Sequence, residues 1–158
     1  MEKINLKLEN NILKSPSNIE AEQAVIGSVL ENNEILDEIA GIINAEKFYD
    51  PIHKKIYQTI ESLNSKGLIA NPITLKNFFE KDENLKDVGG VEYLVKLTRF
   101  SSNVKQTIDY SKIIHDMFVK RQLLNISNKI NTDVENEETN NQAETIIEDA
   151  EKSLFELA

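Results

Sequence analysis

Val104–Asn131 reads VKQTIDYSKIIHDMFVKRQLLNISNKIN, a run with neither glycine nor proline in which apolar residues never stop recurring. Val119, Leu123, Ile126 and Ile130 are spaced four, three and four, the period that puts side chains on one face of a helix. At ~1.5 Å per residue such a helix is about 40 Å long. That exceeds the width of a small compact domain, so part of it should project or line a partner. Beyond it, Asp133 to Gln142 is polar and acidic and reads as a loop. Ala143, Ile147, Ala150, Leu154 and Leu157 then recur four, three, four and three apart, the spacing of a coiled-coil seam. The two arms predict an antiparallel helical hairpin over 103–158. Two ordinary helices of one bundle would carry the same pattern.

Working back from the hairpin, every signal is helical. Ser17 and Glu20 have the spacing of a capping box, and Ala21, Val25, Ile26, Val29 and Leu30 follow at helical intervals. Gly27 inside that helix costs roughly 1 kcal/mol against alanine and so marks the close approach of another helix. Asn33 can cap a second helix with the stripe Ile35, Leu36, Ile39, Ile42 and Ile43. Asp50-Pro51 is an N-cap with proline at the first helical position, and the stripe Ile52, Ile56, Ile60, Leu63 ends at Lys66-Gly67. Asn71-Pro72 opens a turn, Thr74 caps a helix burying Leu75, Phe78 and Phe79, and Gly89-Gly90 introduces a last one through Val91, Leu94 and Leu97. The β-branched residues sit at helical rather than alternating spacing. The fold class is therefore all-α: a flexible tail over 1–15, a globular helical head over 16–102, and the hairpin.

Composition narrows the function. With 158 residues the chain can build a core without staples, and the absence of cysteine excludes a disulfide scaffold, a thiolate zinc site and a cysteine nucleophile. Lys plus Arg number 18 against 27 Asp plus Glu, a formal charge of −9, which argues against nucleic acid as the main partner. No stretch of about 18 apolar residues is available to span a membrane, and Met1–Lys14 has no apolar core of a signal peptide. The expected location is the cytoplasm.

Catalytic patterns are missing. No glycine is followed by lysine, so there is no P-loop to cradle a nucleotide. His115-Asp116 with His53 could in principle serve a helical metal-dependent phosphohydrolase. The acidic surroundings favour an exposed or locally bonded His115 and a His53 on a solvated face beside Lys54 and Lys55. Lys120-Arg121 is too small a basic patch for DNA. Phe78, Phe79, Tyr49 and Tyr93 read as core or corner packing, and Gly89-Gly90 as a loop needing positive φ. The functional candidates are the apolar residues of the hairpin: Leu123, Ile126 and Ile130 facing one way, with Ile147, Leu154 and Leu157 as the return seam. A thin hairpin has only one intramolecular partner, so surplus apolar surface points to self-association or a bound helix.

Specific blocks carry a resemblance. P-S-N-I-E-A-E-Q-A-V-I-G-S-V-L at Pro16–Leu30 is followed in order by F-Y-D-P-I-H-K-K-I-Y at Phe48–Tyr57 and P-I-T-L at Pro72–Leu75. G-G-V-E-Y-L at Gly89–Leu94, Asp109-Tyr110, Lys120-Arg121 and D-A-E-K-S-L-F-E-L at Asp149–Leu157 complete the series. Together they resemble the N-terminal domain of the DnaB family of bacterial replicative DNA helicases. Asn71-Pro72-Ile73-Thr74 departs from the family, which usually places an Asp before Val-Thr. The resemblance implies a helical collar without catalytic residues, cofactor or metal of its own. It implies assembly as dimers through the hairpins and as a hexamer in the full-length protein, with primase and, in some lineages, a helicase loader as partners. ATP and Mg²⁺ would belong to a RecA-like motor carrying the Walker motifs, absent from this chain. Two other classes fit the composition: the helicase-binding domain of primase, which should lack the Glu20-Ala21-Glu22-Gln23 helix and the Gly89-Gly90 block, and the metal-dependent hydrolase.

Overall fold

In the computed structural model, residues 15–80, 82–136 and 142–158 are described, and every regular element among them is helical. The expectations for residues 1–14 fall outside that range. The first helix, α1 (Ile19–Glu31), is capped by Asn18, whose side chain accepts from the Ala21 amide at 2.9 Å. The expected Ser17–Glu20 box is thus displaced by one residue; asparagine caps as well as serine does.

From Ala24 to Leu30 every residue of α1 is buried, which makes it the central helix of the head. It packs on α3 (Pro51–Ser65) and most extensively on α6 (Val91–Thr98). Gly27 is the reason α6 comes so near: a Cβ at this position would run into the carbonyl oxygen of Leu97. Ser28 fastens the same contact, its hydroxyl donating to the Ala24 carbonyl at 2.7 Å and accepting from the Ser102 amide at 2.8 Å.

The second helix, α2 (Ile35–Ile39), is shorter than the apolar stripe suggests, and Asn33 does not cap it. The Asn33 amide group is used elsewhere. It donates to the carbonyls of Val29 and Ala70 and accepts from the Ala70 amide at 2.7 Å, tying the end of α1 to the connection after α3. Ile39 and Ile43 remain buried all the same, because the turn that follows keeps them over the core. A 3₁₀ turn (Ala45–Lys47) leads to Asp50, which caps α3 as expected by accepting from the Ile52 amide.

At α4 (Pro72–Phe79) the cap is Asn71 and not Thr74; Thr74 is the third helical residue and completes a reciprocal capping box with Asn71. Of the two phenylalanines there, Phe79 is buried and Phe78 exposed. After α5 (Glu83–Asp87), Gly89 and Gly90 take positive φ, at 116° and 62°, and turn the chain into α6.

The long helix α7 runs from Val104 to Glu135, four residues past its expected end, so Asp133–Glu135 is helical and not loop. Its early residues Thr107, Ser111 and Ile114 are buried. The chain accordingly divides after Asp116, into Ser17–Asp116 and a second unit that holds Met117–Ala158 with Pro16. The first turns of α7 are head, and the hairpin begins later than Ser102-Asn103 suggests.

Candidate functional site

The hairpin is built from the later part of α7 and from α8 (Ala143–Leu157). Lys129 ties the arms together, its ammonium 3.6 Å from Asp133 in its own helix and 3.8 Å from Asp149 across the seam. Ile126, Ile130 and Asp133 line a narrow crevice opposite Ile146, Ala150 and Ser153. Phe118 and Gln122 lie toward Ser153 and Leu157. Early positions on one arm therefore meet late positions on the other, the antiparallel arrangement. Arg121 donates to the Pro16 carbonyl at 2.7 Å and lies 5.9 Å from the centre of the Phe118 ring, so part of the Lys120-Arg121 pair is engaged within this unit.

The structure divides the six candidate residues. Ile126, Ile130 and Leu157 are half-buried along the seam. Leu123, Ile147 and Leu154 stand outside it, 43%, 57% and 45% exposed. The return seam is Ile146, Ala150, Ser153 and Leu157, not Ala143, Ile147, Ala150, Leu154 and Leu157. Both sets have the same three-four spacing; they differ by a rotation of the helix. No residue of α8 is fully buried.

Of the exposed apolar residues, Leu123 and Val134 on α7 and Ile147 and Leu154 on α8 form a second stripe on each arm, while Leu124 and Phe155 lie outside it. At 3.6 residues per turn each stripe lies roughly a quarter-turn from its own seam, displaced in the same rotational sense along the chain. In antiparallel helices, equal rotations of that kind bring both stripes to the same flank of the pair. One flank of the hairpin thus carries the exposed side chains of Leu123, Val134, Ile147 and Leu154.

A second cluster lies wholly in the head. His53, expected on a solvated face, is fully buried. Its Nδ1 is 2.9 Å from Glu22 Oε1 and its Nε2 is 2.6 Å from the Tyr93 hydroxyl. The carboxylate of Glu22, itself buried, also accepts from the amides of Tyr49 at 2.9 Å and Asp50 at 3.2 Å. The relay joins α1, α3 and α6 and sets the chain direction entering α3. Burial pushes the Tyr93 hydroxyl above its ordinary range against the opposing hydrogen bond from the Gln23 side chain, so it stays protonated. With every polar atom of the carboxylate and imidazole engaged inside the protein, the cluster is a clamp. His115 receives the Lys47 ammonium at 3.1 Å on Nδ1. Each histidine thus has a protein partner of its own, and among the described residues no group of three or more His, Asp or Glu is placed to hold a metal ion.

Sequence reasoning missed the relay. Glu22, His53 and Tyr93 lie in the blocks singled out above, yet their spacing of 31 and 40 residues has no local period to reveal it.

Comparison with known proteins agrees with this architecture. Residues 14–116 match the DnaB-like helicase N-terminal domain. The chain is 43% identical over 143 residues to the replicative DNA helicase DnaB of Rickettsia felis and 44% identical to that of Rickettsia bellii. Each match takes in 90% of this chain and 29% of the relative, so the chain spans less than a third of the length of these proteins. Among solved structures, the N-terminal domain of DnaB helicase from Mycobacterium tuberculosis superposes with a TM-score of 0.80 at 20% identity, covering 90% of this chain and 99% of that domain. A structure of a DnaB-like replicative helicase and its interactions with primase matches with a TM-score of 0.67 at 26% identity, over 89% of this chain and 32% of that one. On the strength of the match over residues 14–116, the chain belongs to the family of DnaB-like helicase N-terminal domains.

Proposed function

We propose that this chain is the collar-forming part of a replicative DNA helicase, holding subunits together through its hairpin and offering a docking surface to primase and to a helicase loader. The observation that carries the reading is the exposed set of Leu123, Val134, Ile147 and Leu154 on one flank of the hairpin, beside the seam that closes its arms. Isologous packing of that flank across a two-fold axis is the commonest closed solution for a homo-oligomer. Each mirrored Leu or Ile contributes about 1.5–3 kcal/mol when fully covered, enough for a weak dimer from a few pairs. The kinship to a helicase studied with primase supports primase as the second partner. Higher rings form mainly with the motor attached.

Chemistry belongs elsewhere in such a protein. The residues present do not fit ATP and Mg²⁺, since no Gly-Lys pair exists in the sequence and no carboxylate cluster suited to a metal lies among the described residues. Both are assigned to a motor domain outside these 158 residues, and the chain alone neither hydrolyses ATP nor unwinds duplex DNA.

Sedimentation velocity over a wide concentration range tests the assembly. The chain should form concentration-dependent dimers, and Leu123→Asp with Leu154→Asp should give a monomer of unchanged helicity. Aspartate at Ile126 or Ile130 is a poorer probe because those side chains close the hairpin itself. A strict monomer at the highest concentration, together with undiminished primase binding by the double variant, would move the assembly surface off this flank.

A further inference from the structure

Between α2, the turn after it and α3 lies a cavity of about 220 Å³. Its apolar wall is Leu36, Ala40 and Ile43, and its polar wall carries Asp37 and Glu61 together with Tyr57. None of the residues lining it is basic. Tyr57 is only 1% exposed and its ring is held against Phe48, centroid to centroid at 4.7 Å. Its hydroxyl nevertheless makes no hydrogen bond to any described residue, and it is not sealed off from solvent. A phenol this deeply buried presents its polar end to the cavity, where an occupant, water or side chain, completes its hydrogen bonding.

The carboxylates tell the same story. Glu61 uses one oxygen to accept from the Ala45 amide at 3.1 Å, which leaves the other available. Burial holds the Glu61 carboxyl above its ordinary range in spite of that bond. It is a negative group short of a compensating cation. The Tyr57 hydroxyl is pushed up by burial and then by the charge of Glu61, so it remains a neutral phenol whose oxygen can accept.

We propose that this cavity binds an arginine side chain presented by a partner protein, its alkyl stem against Leu36, Ala40 and Ile43 and its guanidinium between Asp37, Glu61 and the Tyr57 hydroxyl. Several features select this group. A planar fork with five donors can reach carboxylates on two different helices at once, whereas an ammonium is a compact and more strongly hydrated point charge. The volume suits one side chain and not a folded segment. The site lies entirely in the head and does not depend on the hairpin strip, so either proposal can fail alone.

Titration of the ¹⁵N-labelled chain, read from backbone amide shifts at Asn44, Glu61 and Asn64, tests it. N-acetyl-arginine methylamide should give saturable shifts, while the matching citrulline derivative, equal in shape but uncharged, should give none. The lysine derivative should bind more weakly. Free arginine, which brings an α-carboxylate to a site lined by acidic and no basic residues, should also bind more weakly; equal or tighter binding of the free amino acid would overturn presentation by a protein. Glu61→Gln and Tyr57→Phe keep shape and packing, and each should weaken the arginine derivative by about tenfold, equivalent to about 1.4 kcal/mol. Shifts that fail to saturate, a citrulline derivative that binds equally well, or variants that bind like the wild type would overturn the assignment.

Discussion

The head and the hairpin are made of the same secondary structure and differ in what holds them. In the head, helices are anchored by groups far apart in sequence: Glu22 with His53 and Tyr93, Asn33 with Ala70, Ser28 with Ser102. Each is a specific, buried or half-buried polar tie set within an apolar core. The hairpin has a seam of half-buried side chains, a cross-seam ion pair at 3.8 Å, and exposed apolar residues on one flank. The head also leaves apolar side chains at its surface, Ile69, Ile73 and Phe78 among them, but its helices are fixed to one another by these long-range ties, whereas the arms of the hairpin rest mainly on their seam.

Removing the relay carboxylate should break this contrast most severely. Glu22→Ala leaves the buried imidazole and two backbone amides without their acceptor, and each buried donor left unsatisfied costs about 1–3 kcal/mol. Urea denaturation followed by circular dichroism should show a large drop in the head transition. A loss of no more than a surface substitution would show that the relay is not what clamps α1 to α3 and α6. Gly27→Ala comes next, at about 1–3 kcal/mol for overpacking against the Leu97 carbonyl. Gly41→Ala, where nothing lies within 4 Å of the added methyl, is the internal control and should be close to neutral. The smallest effects belong to the hairpin. Ile130→Ala, on the seam, should lower monomer stability by about 1 kcal/mol. Leu154→Ser on the outer strip should change it by less than about 0.5 kcal/mol. Thermal melts at low protein concentration check the pair, and equal losses would mean that the seam and strip are wrongly separated.

Much of the fold was legible because helix periodicity and end signals are local. Asp50-Pro51, the stripe of α3, Gly89-Gly90 and Gly27 each mean the same thing in the sequence as in the structure. Caps were misplaced where two candidates stood side by side, as with Ser17 and Asn18, or Asn71 and Thr74. Only the backbone geometry decides which side chain meets the free amides. The hairpin seam was misread for a related reason. Residues 147 and 154 are together more apolar than 146 and 153, so choosing by hydrophobicity selects the exposed stripe over part of the seam that closes the arms. His53 could not be placed at all from its neighbours. Pro51, Lys54 and Lys55 suggest a wet helix face, and its burial is decided by residues 31 positions before it and 40 after. The cavity beside Tyr57 was invisible for the same reason: Asp37 and Glu61 are brought to one rim by a turn, not by a pattern.

The relay has a consequence for the order in which the protein is made. Synthesis delivers Glu22 and His53 first, and the carboxylate can engage the Tyr49 and Asp50 amides as soon as α3 has emerged. The Tyr93 hydroxyl arrives forty residues after His53. Until then the imidazole is closed on one side only, and the face of α1 around Gly27 waits for α6. Domains generally form as units from the N-terminal end during synthesis, and every member of this relay precedes the hairpin. The head can thus shut its clamp before the exposed side chains of Leu123, Ile147 and Leu154 have left the ribosome, and a nascent chain then presents them after its head has closed.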